Sequence, residues 1–182
     1  MKTFITADLH FDHKNIMKFC PTSRAYRDVD HMNSMIVSGW NEKVQPEDLT
    51  YILGDVAFCN AQKAVDFLRR LNGRKILIEG NHDHKALNDK SFRNCFEEIH
   101  IYHEVDYKDG PLSAKVCMFH YPITEWNQCH RGSVHCFGHQ HGNGVITPNR
   151  SMDVGMDATG TIVSSMTDVV RSLLKKDMQP HH

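Results

Sequence analysis

The chain has 182 residues, of which 40% are hydrophobic, so it is long enough to bury the core of one domain. Its formal net charge of -1 at pH 7 excludes a global basic field of the kind that binds long polyanions, and any attraction for phosphate has to be local. We predict a single domain over residues 1–178 and a flexible tail over 179–182, in which His181 and His182 resemble the remnant of a tag.

The cysteines point to a reducing compartment. Six of them lie at irregular intervals without a CxxC pair, and several stand in apolar runs such as KVCMF. No signal peptide and no long apolar span precede them. A free thiol in an apolar run behaves as a small hydrophobe. We therefore expect a cytoplasmic protein that does not cross a membrane, with most of its cysteines in or near the core.

Short apolar or β-branched segments in the first half of the chain predict buried strands that alternate with helices. The predicted strands are residues 3–7, 50–54 and 75–79. Residues 28–40 carry apolar side chains at helical spacing, and Asn60 can cap a second helix. This alternation indicates an α/β layer structure.

The second half of the chain is richer in predicted strands, at residues 98–107, 114–120 and 133–137. Residues 167–176 show a clear helical pattern, and a long loop is expected around residues 121–132. A strand-rich continuation fits two sheets that pack face to face with helices outside. We therefore predict an α/β (α+β) protein built as a two-sheet β-sandwich flanked by helices.

Side chains that bind metals or transfer protons follow the predicted strands. They are Asp8, His10, Asp55, Asn81, His82, Asp83, His120, His139 and His141. The carboxyl ends of parallel strands share one edge of an α/β sheet, so these residues are expected to converge. Taken singly, each is more typical of a turn, a helix cap or a satisfied histidine. Repeated pairing, as in Asp8-x-His10 and His139-x-His141, is what favours a metal site.

The types of these side chains restrict the metal. Carboxylate, amide and imidazole groups without a thiolate disfavour a structural zinc site. They suit manganese, iron, nickel or catalytic zinc, whereas magnesium is less often bound by several histidines. The number of candidate ligands predicts two divalent metal ions, with manganese favoured. A carboxylate shared between the ions would hold them about 3.5–4 Å apart.

Five motifs, ADLH, LGDVA, EGNHDH, FHYP and FGHQH, resemble in this order the signatures of the calcineurin-like metallophosphoesterases. They are spread across residues 8–141 and so cover most of the chain. The stretches WNEKVQPEDLTYILGDVAF and LNGRKILIEGNHD further resemble the small, cap-free members found in phages and bacteria. The fold implied by this resemblance is the calcineurin-like phosphoesterase fold, a two-sheet β-sandwich flanked by helices.

The resemblance also implies a role for each matched residue. The implied ligands are Asp8, His10 and His141 for one ion, Asn81, His120 and His139 for the other, and Asp55 as a bridge. His82 would face the substrate and assist departure of the leaving group, and Asp83 would orient His82. The implied activity is hydrolysis of a phosphodiester or phosphomonoester by a hydroxide that bridges the two metal ions.

Three residues outside the five motifs are candidates for contact with a substrate phosphate. His13 lies in the loop of the first motif, and a solvated loop histidine is an equally good interpretation. Arg24 and Arg27 carry forked donors that match phosphate oxygens, although surface arginines before a helix are common. Asp153 and Asp157 are expected to close a late strand rather than to bind metal.

The expected partner is a small phosphoester or nucleotide, bound at a site that is open on one side because no large cap domain fits in 182 residues. A nuclease or an enzyme that processes nucleic-acid ends is an alternative. The near-neutral charge argues against binding along a long nucleic-acid strand, but it does not argue against binding of a nucleic-acid end. A non-catalytic metal-binding scaffold is a second alternative, which the presence of every ligand and of His82 disfavours. A homodimer is compatible with relatives of this kind.

Overall fold

The described part of the chain, residues 1–144 and 149–178, forms two β-sheets, six α-helices and two short 3-10 helices in a computed structural model. The strands are β1 (Thr3–Thr6), β2 (Leu49–Ile52), β3 (Arg74–Ile78), β4 (Glu98–His100), β5 (Tyr102–Asp109), β6 (Leu112–Phe119), β7 (Val134–Phe137), β8 (Ser151–Asp153) and β9 (Ser164–Ser165). The helices are α1 (Ile16–Phe19), α2 (Val29–Asn41), α3 (Ala61–Leu68), α4 (Lys90–Arg93), α5 (Met156–Thr159) and α6 (Met166–Leu174). The predicted tail, residues 179–182, lies outside the described residues.

Parallel pairing dominates the first sheet. Its strand order is β4-β3-β2-β1-β9, with β1 to β4 parallel and β9 antiparallel to β1. The second sheet has the order β5-β6-β7-β8, in which only β5 and β6 are antiparallel. Because β1, β2 and β3 are parallel neighbours, their carboxyl ends meet at one edge of the first sheet, as the sequence predicts.

A hydrophobic cluster joins the two sheets. In the first sheet Ile5 pairs with Tyr51, and Tyr51 pairs with Ile76. These three side chains share a buried cluster with Val116 of β6 and Cys136 of β7. Side chains alternate between the faces of a strand, so facing residues of both sheets meet in one core. The two sheets therefore pack against each other through this cluster.

The other face of the first sheet carries helices. Ile52 and Leu77 belong to a second buried cluster with Trp40 of α2 and with Val65 and Leu68 of α3. Burial of aliphatic and aromatic side chains of this kind contributes roughly 1.5–3 kcal/mol per side chain. The predicted α/β arrangement of two sheets with flanking helices is confirmed at this level.

The helix cap predicted at Asn60 is confirmed, whereas one predicted strand is not. Asp28 accepts a hydrogen bond from the backbone N–H of His31 and begins α2, and Asn60 caps α3 in the same way. The single strand predicted over residues 98–107 is wrong, because β4 pairs with β3 in the first sheet and β5 pairs with β6 in the second. The chain crosses between sheets at Ile101, and a continuous alternating pattern gave no sign of this crossing.

All six cysteines are free, and four of them, Cys20, Cys117, Cys129 and Cys136, are buried. The prediction that most cysteines lie in or near the core is therefore confirmed. Among the described residues, no helix has both the length and the apolar character that crossing a membrane requires.

His135 of β7 gives the fold a dependence on pH. The ring is fully buried, its Nδ1 donates to the carbonyl of Cys117 at 3.1 Å, and burial lowers its pKa to about 4. In the unfolded chain the pKa returns to about 6.5. The unfolded state thus binds more protons between these two values, so stability falls as the pH drops through this window, by up to about 3 kcal/mol.

Replacement of His135 by phenylalanine should remove this part of the pH dependence, because phenylalanine does not titrate. The site should accept the new ring, since the His135 ring already stacks on Phe137 and lies beside Trp126. The measurement is the free energy of unfolding in urea between pH 4 and pH 7 with a chelator present. Equal pH slopes for the wild type and His135→Phe would show that this histidine does not carry the effect.

Candidate metal centre

The loops after β1 and β2 run side by side at the carboxyl edge of the first sheet. The backbone N–H of Asp8 donates to the carbonyl of Gly54 at 3.0 Å, and that of His10 donates to the carbonyl of Asp55 at 3.0 Å. The N–H of Phe11 continues this pairing with Val56. Backbone pairing therefore places Asp8 and His10 next to Asp55.

Five of the seven predicted ligands have a left-handed backbone, which residues other than glycine seldom adopt. They are Asp8 (φ 57°), His10 (φ 51°), Asp55 (φ 54°), His139 (φ 71°) and His141 (φ 50°). Such conformations cost of the order of 1–3 kcal/mol each and concentrate at functional sites. Their concentration here favours a functional role over that of ordinary turn residues.

Gly54 allows His120 to approach the end of β2. Its φ is +83°, and a Cβ added there would lie 2.5 Å from Nδ1 of His120. That nitrogen donates to the carbonyl of Leu53 at 2.8 Å. A ligand histidine whose Nδ1 donates to a carbonyl presents Nε2 for coordination. Glycine is thus required at position 54, because any Cβ there would clash with the His120 ring.

The predicted ligands form two clusters, within each of which the candidate ligand atoms lie within 4.8 Å of one another. The clusters are Asp8, His10 and His141, and Asp55, His120 and His139. Asn81 belongs with the second, because its Oδ1 lies 3.0 Å from Nε2 of His120. The structure therefore brings together all seven residues in the grouping that the resemblance implies.

Asp55 lies between the two clusters. Its Oδ2 is 3.5 Å from Nε2 of His10, whereas its Oδ1 is 3.6 Å from Nε2 of His120. The two oxygens of one carboxylate thus face a histidine of each cluster. Oδ1 also accepts a hydrogen bond from the backbone N–H of His82 at 3.0 Å, which fixes the orientation of the carboxylate. This arrangement suits a carboxylate that bridges two cations.

Buried polar atoms in the first cluster fit a bound cation. Oδ1 of Asp8 and Nε2 of His10 are buried and have no hydrogen-bond partner among the described residues. An unsatisfied buried polar group costs about 1–3 kcal/mol. Burial and the nearby Asp55 raise the pKa of Asp8 well above its usual value, and burial lowers the pKa of His10. A divalent cation would satisfy both atoms and stabilise the carboxylate in its charged form.

Asp157 orients His141. Its Oδ2 accepts a hydrogen bond from Nδ1 of His141 at 2.7 Å, which leaves Nε2 available to a metal ion. Burial opposes ionisation of Asp157, but the hydrogen bonds from His141 and Arg24 outweigh it and hold the pKa of Asp157 well below its usual value. The expectation that this residue closes a strand is wrong, because it lies in α5. Asp153, by contrast, does end β8.

Arg24 does not have the predicted role of binding a substrate phosphate. The side chain is buried, and Nε and Nη2 donate to the two oxygens of Asp157 at 2.7 and 2.8 Å. Nη1 and Nη2 also donate to the carbonyls of Leu9 and Asp8. With its donors engaged inside the protein, Arg24 holds the loop of the first motif to the residue that orients His141.

Arg27, the other arginine predicted to contact phosphate, lies on the surface. Its side chain is 78% exposed and forms an ion pair with Asp28 at 2.9 Å, at the start of α2. A contact between Arg27 and substrate therefore stays a prediction.

Replacement of the two arginines by methionine should affect stability very differently. Arg24→Met leaves the Asp157 carboxylate buried without its cationic partner, which costs about 3–5 kcal/mol. Arg27→Met removes an exposed ion pair, which solvent screens, so its contribution to stability is small. Free energies of unfolding from urea titration of the metal-free proteins measure the difference. Similar losses in the two variants would contradict the role of Arg24 in holding the loops together.

Asp83 contacts backbone rather than the His82 ring that it was predicted to orient. Its Oδ2 accepts from the N–H groups of Asp55 and Gly80, both at 2.9 Å, and its Oδ1 accepts from Val56 at 3.0 Å. Burial raises the pKa of Asp83 to about 6 against the effect of these hydrogen bonds. Through these hydrogen bonds, the carboxylate connects the turn after β3 to the loop after β2. It therefore affects the position of His82 through the backbone of this turn.

His82 and His13 lie with an aromatic residue that the sequence interpretation did not use, Phe58. The His82 side chain is 43% exposed, with Nε2 3.9 Å from Oδ2 of Asp55. The His13 ring stacks on Phe58 with centroids 3.8 Å apart and comes within hydrogen-bonding distance of His10. The Phe58 ring also contacts His82, at a centroid distance of 4.4 Å. These rings form one wall beside the candidate metal ligands.

The fold and the site together define an α/β protein with a candidate dinuclear metal centre. No protein-family model matches the chain. The uncharacterized protein MJ1445 of Methanocaldococcus jannaschii is 39% identical over 84 residues, which cover 45% of this chain and 47% of that protein, so the match spans about half of the archaeal sequence. The gene 66 protein of Mycobacterium phage L5 is 26% identical over 190 residues, 89% of each chain.

A solved structure extends the comparison to the fold. The protein of unknown function AQ665 from Aquifex aeolicus superimposes with a TM-score of 0.68 at 22% sequence identity, covering 94% of this chain and 98% of that one. A similarity at this identity shows a shared fold. The chemistry of the site must therefore be argued from its own residues.

Proposed function

We propose that the chain is a dinuclear metal-dependent phosphoesterase of the calcineurin-like type that hydrolyses phosphodiester or phosphomonoester bonds of a nucleotide or another small substrate. The observation that carries this proposal is the position of Asp55, whose two oxygens face histidines of separate clusters at 3.5 and 3.6 Å. The order of the five motifs supports the same conclusion.

Two divalent ions in these clusters would polarise a phosphoryl oxygen and activate a water molecule as the nucleophile at neutral pH. The ligand types suit manganese, iron, nickel or zinc better than magnesium, and manganese is the ion proposed here. The protein fixes the ligands before substrate arrives. Asp157 orients His141, and the carbonyl of Leu53 orients His120. Pre-oriented ligands of this kind reduce the reorganisation that the reaction requires.

His82 supplies the group that assists the leaving oxygen. In-line displacement at phosphorus needs a proton donor or a hydrogen-bond donor on the side opposite the nucleophile. The exposed ring of His82 lies at the edge of the centre, while its backbone N–H is anchored to Asp55. The imidazole is therefore free to donate a proton to the leaving alkoxide or to stabilise its charge.

The direct experiment is a substrate panel with the protein loaded with Mn, Ni, Mg or Zn. A chromogenic monoester, a chromogenic diester, a 2',3'-cyclic nucleotide and a cyclic dinucleotide cover the chemical classes. We expect turnover of at least one ester with manganese and its loss on addition of a chelator. Binding of metal without turnover of any ester would favour a non-catalytic scaffold instead.

Oligonucleotides in the same assay test the nuclease alternative. An enzyme that follows a nucleic-acid strand loses affinity steeply as salt increases, because cationic contacts release counterions. The formal net charge of -1 gives no basis for a long track. We therefore expect turnover of short substrates to change little between about 50 and 200 mM salt. Over the same range, the nucleic-acid affinity of a protein with many phosphate contacts falls by orders of magnitude.

A further inference from the structure

A cavity of about 410 Å³ opens next to the candidate metal centre. Its walls include Asn81 and His82 from the turn after β3, Phe58 from the loop after β2, and Lys85. Ligand pockets in proteins have volumes of roughly 300–1,000 Å³. The cavity is thus large enough for a group of nucleoside size.

Two residues of the cavity wall connect it to the metal centre. Asn81 belongs to the cavity wall, and its Oδ1 lies 3.0 Å from Nε2 of His120 in the second cluster. His82, the residue that faces the leaving group in the proposed function, is part of the same wall. A phosphate at the metal ligands with its leaving group next to His82 would therefore direct the organic part of the ester into this cavity.

Phe58 determines what kind of group the cavity suits. Its side chain is 39% exposed, although large aromatic residues are usually more deeply buried. The ring is held by His13, which stacks on it almost in parallel at an interplanar angle of 8°. The small side chains of Ala57 and Ala86 complete the apolar part of the wall. A fixed, exposed ring with small neighbours is suited to stacking with a flat aromatic group.

We propose that this cavity binds the base of a nucleoside carried by the substrate, with the base stacked on Phe58. The proposal rests on the proposed function, because the substrate phosphate has to lie at the metal centre. The side-chain amide nitrogen of Asn81 can donate a hydrogen bond to the base or sugar, and Lys85 contributes positive charge to the wall. The substrate class is thereby narrowed from phosphoesters in general to esters of nucleosides.

The test is equilibrium binding of AMP and of ribose 5-phosphate to the protein loaded with a divalent ion under which it hydrolyses neither probe, measured by isothermal titration calorimetry. The two probes carry the same phosphate and sugar, so their affinity ratio isolates the base. Stacking of one base on an aromatic ring corresponds to about 5–150-fold in affinity. We expect a preference for AMP in this range, its loss in Phe58→Ala and its retention in Phe58→Tyr.

Tyr121→Ala is the matched control. This exposed ring lies 4.7 Å from His139 and 5.0 Å from His120 by ring centroids, and it is not part of the cavity wall. The AMP preference should survive this change. Equal affinities for the two probes, binding of neither, or a preference that survives Phe58→Ala would overturn the proposal, as would a preference that is lost only in Tyr121→Ala.

The binding test separates this proposal from the proposed function. Hydrolysis of phosphoesters without a preference for AMP would contradict the proposed base-binding cavity and leave the proposed phosphoesterase activity intact. A preference for AMP that depends on Phe58, in a protein that hydrolyses no ester, would support the pocket and contradict the phosphoesterase.

Discussion

Replacement of Asp55 by asparagine is expected to remove bound metal and hydrolytic activity together. Asparagine keeps an oxygen that can accept the hydrogen bond from the N–H of His82, so the local fold should survive. It loses the charge that faces both His10 and His120. Removal of a residue that only orients a ligand costs about 10–100-fold, so loss of a ligand shared by two ions should cost more than ~100-fold in kcat/KM. Metal content after dialysis should fall by at least one ion per chain.

Asp106→Asn is the matched control for this change. Asp106 lies on β5, its side chain is 74% exposed, and it pairs with Lys115 at 3.0 Å. This variant should bind metal and turn over substrate like the wild type. If Asp55→Asn bound two ions with the affinity of the wild type, Asp55 could not be the bridging ligand.

Replacement of His82 by alanine is expected to separate metal binding from turnover. The ring belongs to neither cluster of ligand atoms, so the metal content should stay at the level of the wild type. A positioned acid or base contributes about 10²–10⁴-fold to a rate, and kcat should fall within this range. The loss should be larger for an alkyl ester than for a nitrophenyl ester, because a poor leaving group depends more on protonation.

The control for His82→Ala is His31→Ala. His31 is a partly exposed histidine of α2 whose Nδ1 accepts a hydrogen bond from the backbone N–H of Arg27. Both variants are assayed for bound manganese and for kcat with the two esters. Unchanged turnover of both esters by His82→Ala would rule out a role in leaving-group departure, and loss of metal in this variant would make His82 a ligand.

The strands that position the site were predictable because each is a short apolar run followed by polar residues. Parallel pairing then places Asp8, Asp55 and Asn81 at one edge of the sheet, which the sequence pattern indicates. Strand β9 was not predictable, since two residues are too few to show a periodicity. The crossing of the chain between sheets at Ile101 depends on which neighbours each half meets, and these are distant in sequence.

The convergence of the candidate ligands was predictable from their types and spacing, whereas the residues that hold them in place were not. Arg24 and Asp157 are separated by 133 positions, and their ion pair exists only because the fold brings two loops together. A surface arginine and a buried one look alike in a sequence, so Arg24 was assigned to substrate. Phe58 ends the LGDVAF segment, whose pattern does not indicate a role for it, and only the fold places it beside His82.

The spacing of two manganese ions tests the central claim most directly. An Asp55 carboxylate that bridges the clusters would hold the ions about 3.5–4 Å apart. Low-temperature electron paramagnetic resonance of the protein loaded with two equivalents of manganese should then give the spectrum of an exchange-coupled pair, and Asp55→Asn should abolish it. A six-line spectrum of isolated manganese ions in the wild type at this loading would contradict a bridged dinuclear centre.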